Sequence, residues 1–478
     1  MSDSEEKDPT GSKFFLLPQR VILSLMGFLA IVNGYTMRIC LSPALTQMVI
    51  LRNKTEVKGE KICTPDFMDP EDPTGGEYDW SEELQGFILG SFYIGYLITH
   101  LPGGILADKF GGKWTLVTGI FITSLLTILT PVSVEGGGPI AMITLRICIG
   151  LGEGVIFPAL NVLLAQWVPI RERGILGALV LGGGQVGSIL GNSISGKLLK
   201  HFRWPMVFYF FGVLSCIWCL LFVILCTDDP VTHPFIKVKE KKYLMDEIGS
   251  ITRNRNIQPV PWLAIFSSVP VWALISAQVG HDFGFYIMIT DLPKYMNDIL
   301  QFSIAKNGLY SSLPNVSMWI FSLVSGAVAD CLISRKIWSI TTTRKFMTGL
   351  AAFGPAVFIV AASYAKCDRF QAVLHFTIAM GLMGAYYAGM KLSPLDMAPN
   401  YAGTLMAISN GIGAIPGIIA PYLVGVMTPN STMFEWTMVF WVSFVVLVVT
   451  AIVYCIWASG DIQPFNDPAA MKKKKEEE

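Results

Sequence analysis

Apolar residues along this chain come in blocks of about twenty or more, divided by short polar connections, and a helix of that length crosses the roughly 30 Å hydrocarbon core of a bilayer. The blocks fall at 20–46, 84–107, 114–131, 138–164, 174–198, 205–226, 262–290, 303–329, 344–364, 371–394, 402–427 and 435–458. Six precede the polar stretch 227–261 and six follow it. The pattern predicts an all-α membrane protein with twelve transmembrane helices in two six-helix, pseudo-symmetric bundles. Its expected parts are an N-terminal tail at 1–19, a first bundle at 20–226, a linker at 227–261, a second bundle at 262–458 and a C-terminal tail at 459–478.

An internal echo supports the duplication. Gly103-Gly104-Ile105-Leu106-Ala107-Asp108-Lys109-Phe110-Gly111-Gly112-Lys113 joins the second block to the third, and Gly326-Ala327-Val328-Ala329-Asp330 through Arg335-Lys336 repeats it, degraded, between the eighth and ninth. Repeated halves around a central site are a common plan of secondary transporters. Asp108, with Lys109 and Lys113, is placed at a helix end to act as a latch between conformations. Asp330 is its second copy, and Asp396 in Leu395-Asp396-Met397-Ala398-Pro399 is a further gating candidate. Glycine-rich runs in the fifth block, Gly182 to Gly191, and the eleventh, Gly411 to Gly417, mark either close helix packing or hinges.

Composition agrees with a bilayer protein: 52% of residues are hydrophobic and 15% charged, against about 25% charged in soluble chains. Basic residues cluster in alternate loops, at Lys109 and Lys113, Arg171 and Arg173, Lys237 to Arg255, Arg335 to Lys345, and Lys472 to Lys475. The positive-inside rule then places both termini in the cytosol. The first loop on the other side is acidic, from Asp66 to Asp79. Two glycosylation sequons, at Asn53 and Asn430, fall on that same outer side. Of the nine cysteines, Cys63 and Cys367 sit in outer loops, where one long-range bridge is possible. No metal-ligand spacing is present.

Ionisable groups at membrane depth cost roughly 2.5–3.5 kcal/mol each on insertion scales, so each needs a reason. Arg146 and Glu153 lie two turns apart on one helix face, among Gly150, Gly152 and Gly154, which let another backbone approach. A buried guanidinium offers a planar fork to carboxylate or phosphate oxygens. A membrane-embedded glutamate can be neutralised and so can carry a proton. Arg38 either joins them in a cavity or snorkels to the surface. Tyr96 can offer its hydroxyl to a substrate. His281 and Asp282, near the expected outer end of the seventh block, serve either as a helix-end cap or in transport, and Lys391 adds a positive charge in the tenth.

Taken with Arg38-Ile39-Cys40-Leu41-Ser42, Gly90 to Tyr96 running into Pro102-Gly103-Gly104, Arg146 to Pro158, Thr341 to Lys345, Met406 to Gly411 and Ala458 to Asp461, the chain resembles the major facilitator superfamily. Within it, the chain resembles the anion:cation symporter family of type I phosphate cotransporters, sialin and vesicular glutamate transporters, and its wording is most similar to the insect inorganic phosphate cotransporters. The resemblance implies a secondary active transporter working by alternating access, with symport of phosphate or a small organic anion coupled to Na+ or H+. It implies anion contacts at Arg38 and Arg146, with Tyr96, His281 and Lys391 as further substrate-binding candidates, and cation coupling at Glu153. It also implies no cofactor, no nucleic-acid partner, a monomer and a plasma-membrane address. Asn161, Leu89 and His281 depart from the glutamate carriers, which weakens a glutamate reading.

Two other readings compete. One is a lysosomal proton-coupled exporter of acidic sugars or amino acids, for which Leu16-Leu17 resembles a sorting signal although Ser12 stands where an acid is usual. The other is a transport-inactive receptor or scaffold, which would need no charge in a cavity. An enzyme is not expected, since the loops carry no nucleophile, metal set or phosphate-cradling motif.

Overall fold

The computed structural model describes residues 17–50, 63, 76–252 and 260–467, and within them the chain crosses the bundle twelve times. Crossing 1 is Gln19–Met48, crossing 2 Glu82–Phe110, and crossings 3 and 4 occupy 112–137 and 139–167, parted by Gly138 at φ 57. Crossing 5 covers 170–201 and crossing 6 Pro205–Leu225. Crossing 7 runs 269–298, followed by Ile304–Ser334, Ile340–Tyr364, Arg369–Met397, 402–427 and Met433–Trp457 as crossings 8 to 12. By length and apolar composition alone, eight stretches of the described residues qualify as spans, and one of them, Gly112–Trp167, holds two crossings. Crossings 2, 5 and 7 are helical as well.

Crossing 7 begins later than the apolar pattern suggests. Trp262–Phe266 forms a separate short helix, and the crossing starts at Val269 with Pro270 in its first turn, where the missing N–H costs nothing. The end is later too, because Asp291, Lys294 and Asp298, which read as loop residues, are buried. Asp282 consequently lies within the crossing rather than at its outer end.

Each half has its own apolar core. One cluster, from Leu23 to Leu244, serves the first half, and others centred on Tyr295, Phe376, Trp436 and Phe440 serve the second. The linker helix Val238–Thr252 is fastened to the first half by charge. Pro18 leaves the start of crossing 1 without a side-chain cap, and Glu240 supplies one by accepting the Gln19 and Arg20 N–H groups at 3.0 and 3.2 Å. Arg20 also donates to Glu172 at 2.7 Å.

The halves meet at the end opposite the linker, where backbones approach through glycine. A Cβ on Gly86, Gly90 or Gly425 would come within 2.2, 2.7 or 2.4 Å of the carbonyl oxygens of Pro421, Ile418 or Glu82. Lys294 forms an ion pair with Glu82 across this seam, and the Ser42 hydroxyl donates to the Thr290 carbonyl. At the linker end, a Cβ on Gly104 or Gly326 would meet nothing within 4 Å. This is a far-end-closed arrangement.

Cys63 and Cys367 form a disulfide, with Cα atoms 5.4 Å apart and a sequence separation of 304, tying the loop after crossing 1 to the loop after crossing 9. Because the linker lies between these cysteines, proteolysis confined to 253–259 should leave the halves as one band on a non-reducing gel and two after reduction. Two bands without reductant would contradict the bridge.

Candidate functional site

Helix irregularities gather on the crossings that carry the charged groups. Crossing 1 loosens at Cys40, two residues after Arg38, and crossing 4 at Gly154, directly after Glu153, both with helical backbone angles and their backbone hydrogen bonds kept. Crossing 7 widens to a π-helical turn at Ile287–Asp291, and crossing 10 unwinds through Gly384–Tyr387 to Met390–Leu392.

In the first half, glycine sets the spacing. A Cβ on Gly95 would sit 1.9 Å from the Ile147 carbonyl oxygen, and one on Gly150 2.0 Å from that of Phe92. Crossings 2 and 4 therefore touch backbone to backbone, which carries the rings of Phe92 and Tyr96 up to the charged groups. Arg38 donates from Nε and Nη2 to the same oxygen, Oε2 of Glu153, at 3.2 and 2.8 Å. Around its guanidinium stand Tyr35, Phe92 and Tyr96, with ring centroids at 4.7, 4.5 and 5.1 Å. Cation–π contacts of this kind gain strength where water is excluded.

Arg146 is held differently. It is 4% exposed, rests over Phe92 at 5.0 Å, and among the described residues makes a single 3.4 Å hydrogen bond, to the Arg38 carbonyl. Among the same residues its Nε has no partner, nor does Oε1 of Glu153. A guanidinium has five N–H groups, and leaving buried ones unpaired is costly. Arg146 is thus a nearly unliganded cation beside a closed ion pair, and an anion is the partner its chemistry lacks.

The second half contributes a hydrogen-bonded chain. The Tyr386 hydroxyl donates to Oε1 of Gln278 at 3.0 Å, and Nε2 of Gln278 donates to Oδ2 of Asp282 at 2.7 Å. Lys391 donates to Oδ1 of Asn410 at 2.6 Å and lies 5.4 Å from the Tyr386 ring centroid. Gln185 of crossing 5 reaches across to the Tyr387 hydroxyl at 3.2 Å.

Of the residues singled out in the sequence, Arg38, Arg146, Glu153 and Tyr96 come together. Glu153 engages Arg38 rather than the Arg146 of its own helix, and Arg38 is 8% exposed, which excludes snorkelling. Tyr96 meets Arg38 through its ring. His281 stacks flat on Tyr386 at 3.8 Å and lines a small cavity inside the second half with Thr348, Ala351 and Thr450. Lys391 pairs with neither Asp396 nor solvent-side groups.

The described members of the gating set do not bridge the halves in this arrangement. Asp396 is bound by Arg344 of the same half at 2.7 Å. Asp330 is exposed and makes no hydrogen bond or ion pair among the described residues, and Lys109 is exposed beside Phe110. The Asp108 side chain lies outside the described residues. Lys113 donates from Nζ to the Val223 carbonyl at 2.9 Å, while Asp228 caps its backbone N–H at 2.7 Å. Asn430 is exposed, with its amide donating to Glu435 at 3.0 Å, and Asn53 lies outside the described residues. Among the described residues no cluster could hold a metal ion.

Tyr35, Phe92, Gln278, Tyr386 and Asn410 were not singled out as site residues. Phe92 and Tyr386 sit in aromatic runs, Ser91-Phe92-Tyr93 and Ala385-Tyr386-Tyr387, but helical period alone does not show which ring faces a charge.

A family model described as Major Facilitator Superfamily matches residues 23–421. A Drosophila melanogaster protein named "Putative inorganic phosphate cotransporter" is 38% identical over 467 residues, covering 95% of this chain and 88% of that protein. Human "Sialin" is 37% identical, covering 93% and 90%, and "Vesicular glutamate transporter 3" of Danio rerio is 32% identical, covering 95% and 75%. Among solved structures, a bacterial homolog of the human lysosomal transporter Spinster, in an inward-facing and unoccupied conformation, superposes with TM-score 0.68 at 13% identity, covering 94% of this chain and 99% of that one. A D-xylose-proton symporter gives 0.68 at 14% identity, covering 93% and 99%.

Proposed function

The chain belongs to the major facilitator superfamily, as a relative of inorganic phosphate cotransporters, sialin and vesicular glutamate transporters, and from that premise we propose that it carries small anions, phosphate or an organic acid, coupled to H+ or Na+. The observation that carries this reading is Arg146, a buried guanidinium with one 3.4 Å hydrogen bond. The substrate anion supplies the missing acceptors. Glu153, closed on Arg38 at 2.8 Å, is the coupling carboxylate. When it takes up a cation, Arg38 is released from its ion pair and adds a second positive charge to the site. Anion and cation therefore favour each other's binding, which is what symport requires.

The linker end faces the cytosol in this reading, by the positive-inside bias, and the structure is the inward-facing state. A plasma-membrane address follows the cotransporter relatives. The near-equal identity to human sialin favours a second version, proton-coupled export of organic acids from an acidic compartment. Uptake of labelled phosphate, glutamate and glucuronate into proteoliposomes, under an imposed sodium or proton gradient, tests both. Gradient-driven accumulation of one anion is expected, and no uptake of any under either gradient would overturn the assignment.

The Glu82 and Lys294 pair is the outer gate in this account. Lys294→Met should weaken the closed far end by about 1 kcal/mol, a roughly fivefold population shift. Distances between spin labels on crossings 2 and 11 should lengthen accordingly, and an unchanged distribution would remove the pair from gating.

A further inference from the structure

Resting on the reading of a cation-coupled anion carrier, we propose that Asp282 is a second proton site of the transport cycle, in the half opposite Glu153, and that it acts by controlling Lys391. Asp282 is 8% exposed, and its one hydrogen bond among the described residues is the 2.7 Å contact from the Gln278 amide. The helix of crossing 11 has glycine where it passes this carboxylate, since a Cβ on Gly413 would lie 2.2 Å from Oδ2. Asn410, which holds the Lys391 ammonium at 2.6 Å, is three residues earlier on that helix. The positions of crossing 11 that approach the carboxylate and the ammonium are thus about one turn apart.

The charged and titratable groups within electrostatic range of Asp282 are Lys391 of crossing 10, Tyr35 of crossing 1, Tyr286 of its own crossing, and Tyr386 and Tyr387 of crossing 10. Tyr35 is also in range of Glu153, so the two carboxylates flank one aromatic group at the seam between the halves. Lys391 is the only cation in the set, and a charged Asp282 balances it. Protonation of Asp282 leaves the ammonium unbalanced and available to the anion. The proton arrives from water on the open side and returns to water on the other, carrying one positive charge with the substrate.

The surroundings favour a proton over a metal cation. Hard cations take about six or more oxygen ligands, whereas Asp282 is approached by an amide N–H, its Gln278 partner's oxygen already accepts from Tyr386, and a lysine stands nearby. A carboxylate here would repel a purely anionic substrate if it stayed charged throughout the cycle, so its neutralisation also opens the site.

The test uses the full-length protein reconstituted in lipid, with whichever of phosphate, glutamate and glucuronate it carries. Initial uptake should depend on proton concentration with an order one higher in the wild type than in Asp282→Asn. Asp282→Glu should keep the wild-type order, and Lys391→Met should show the order of Asp282→Asn with no further change on adding Asp282→Asn. Independently of any substrate, pH-difference infrared spectra should show a protonated-carboxyl band that disappears in Asp282→Asn and remains in Glu153→Gln. Should Asp282→Asn fail to fold, Asp282→Glu should shift that band, and an unshifted band overturns the proposal. An Asp282→Asn protein with unchanged proton order and an unchanged spectrum also overturns it, while loss of transport with the infrared band intact in the wild type would count against the carrier reading alone.

Discussion

Arg146→Ala should lower anion uptake by about a hundredfold or more in proteoliposomes while leaving the protein folded. Two charge-assisted hydrogen bonds to an anion, at about 1.5 kcal/mol each, amount to that factor. The fold should tolerate the change because Arg146 contributes only the 3.4 Å bond to the Arg38 carbonyl and its contact with Phe92. Removing an unpaired buried charge also removes its desolvation penalty, so the melting temperature should hold or rise. Arg146→Lys should recover part of the activity, since lysine restores the charge without the planar fork. Full uptake by the alanine variant would take Arg146 out of the binding site.

Glu153→Gln is the second large effect expected, and it separates coupling from binding. The amide keeps the size of the side chain and an oxygen for Arg38, but neither a charge nor a titrating proton. Gradient-driven accumulation should fall steeply, to what the Asp282 proton alone sustains, while anion-for-anion exchange survives. Glu153→Ala should behave worse, because Arg38 would be left charged, buried and without its acceptor at a cost of about 3–5 kcal/mol. A lower melting temperature for the alanine than for the glutamine variant is the check. Unchanged dependence on both sodium and pH in Glu153→Gln would remove this carboxylate from the mechanism.

The chain's apolar blocks made the twelve crossings legible, and the glycines at 150, 152 and 154 announced a close helix contact that the structure contains. Partnership was less legible. Arg38 and Glu153 are 115 residues apart, and no local spacing records which helices bring them together. Arg146 and Glu153 share a helix face, yet two turns of helix separate those side chains along the axis, and the arginine of another helix reaches Glu153 instead.

Crossing 7 shows a different failure of the pattern. Apolar residues on both sides of Ser267 and Ser268 hid the true start at Val269, and Asp291, Lys294 and Asp298 hid the end because they are buried between halves instead of solvated in a loop. Asp282 was thereby assigned to a helix end when it belongs to the interior. The repeated aspartate hairpin echoed between the halves, but a gating role for it would need a conformation closed at the linker end, and here the seam lies at the other end.

The most direct test of the account is a structure of the protein with its transported anion bound, once the uptake panel has identified that anion. The account predicts density within hydrogen-bonding distance of the Arg146 guanidinium, with the Arg38 to Glu153 contact lengthened. An anion seated elsewhere in the cavity, with Arg146 still limited to its contact on the Arg38 carbonyl, would contradict it.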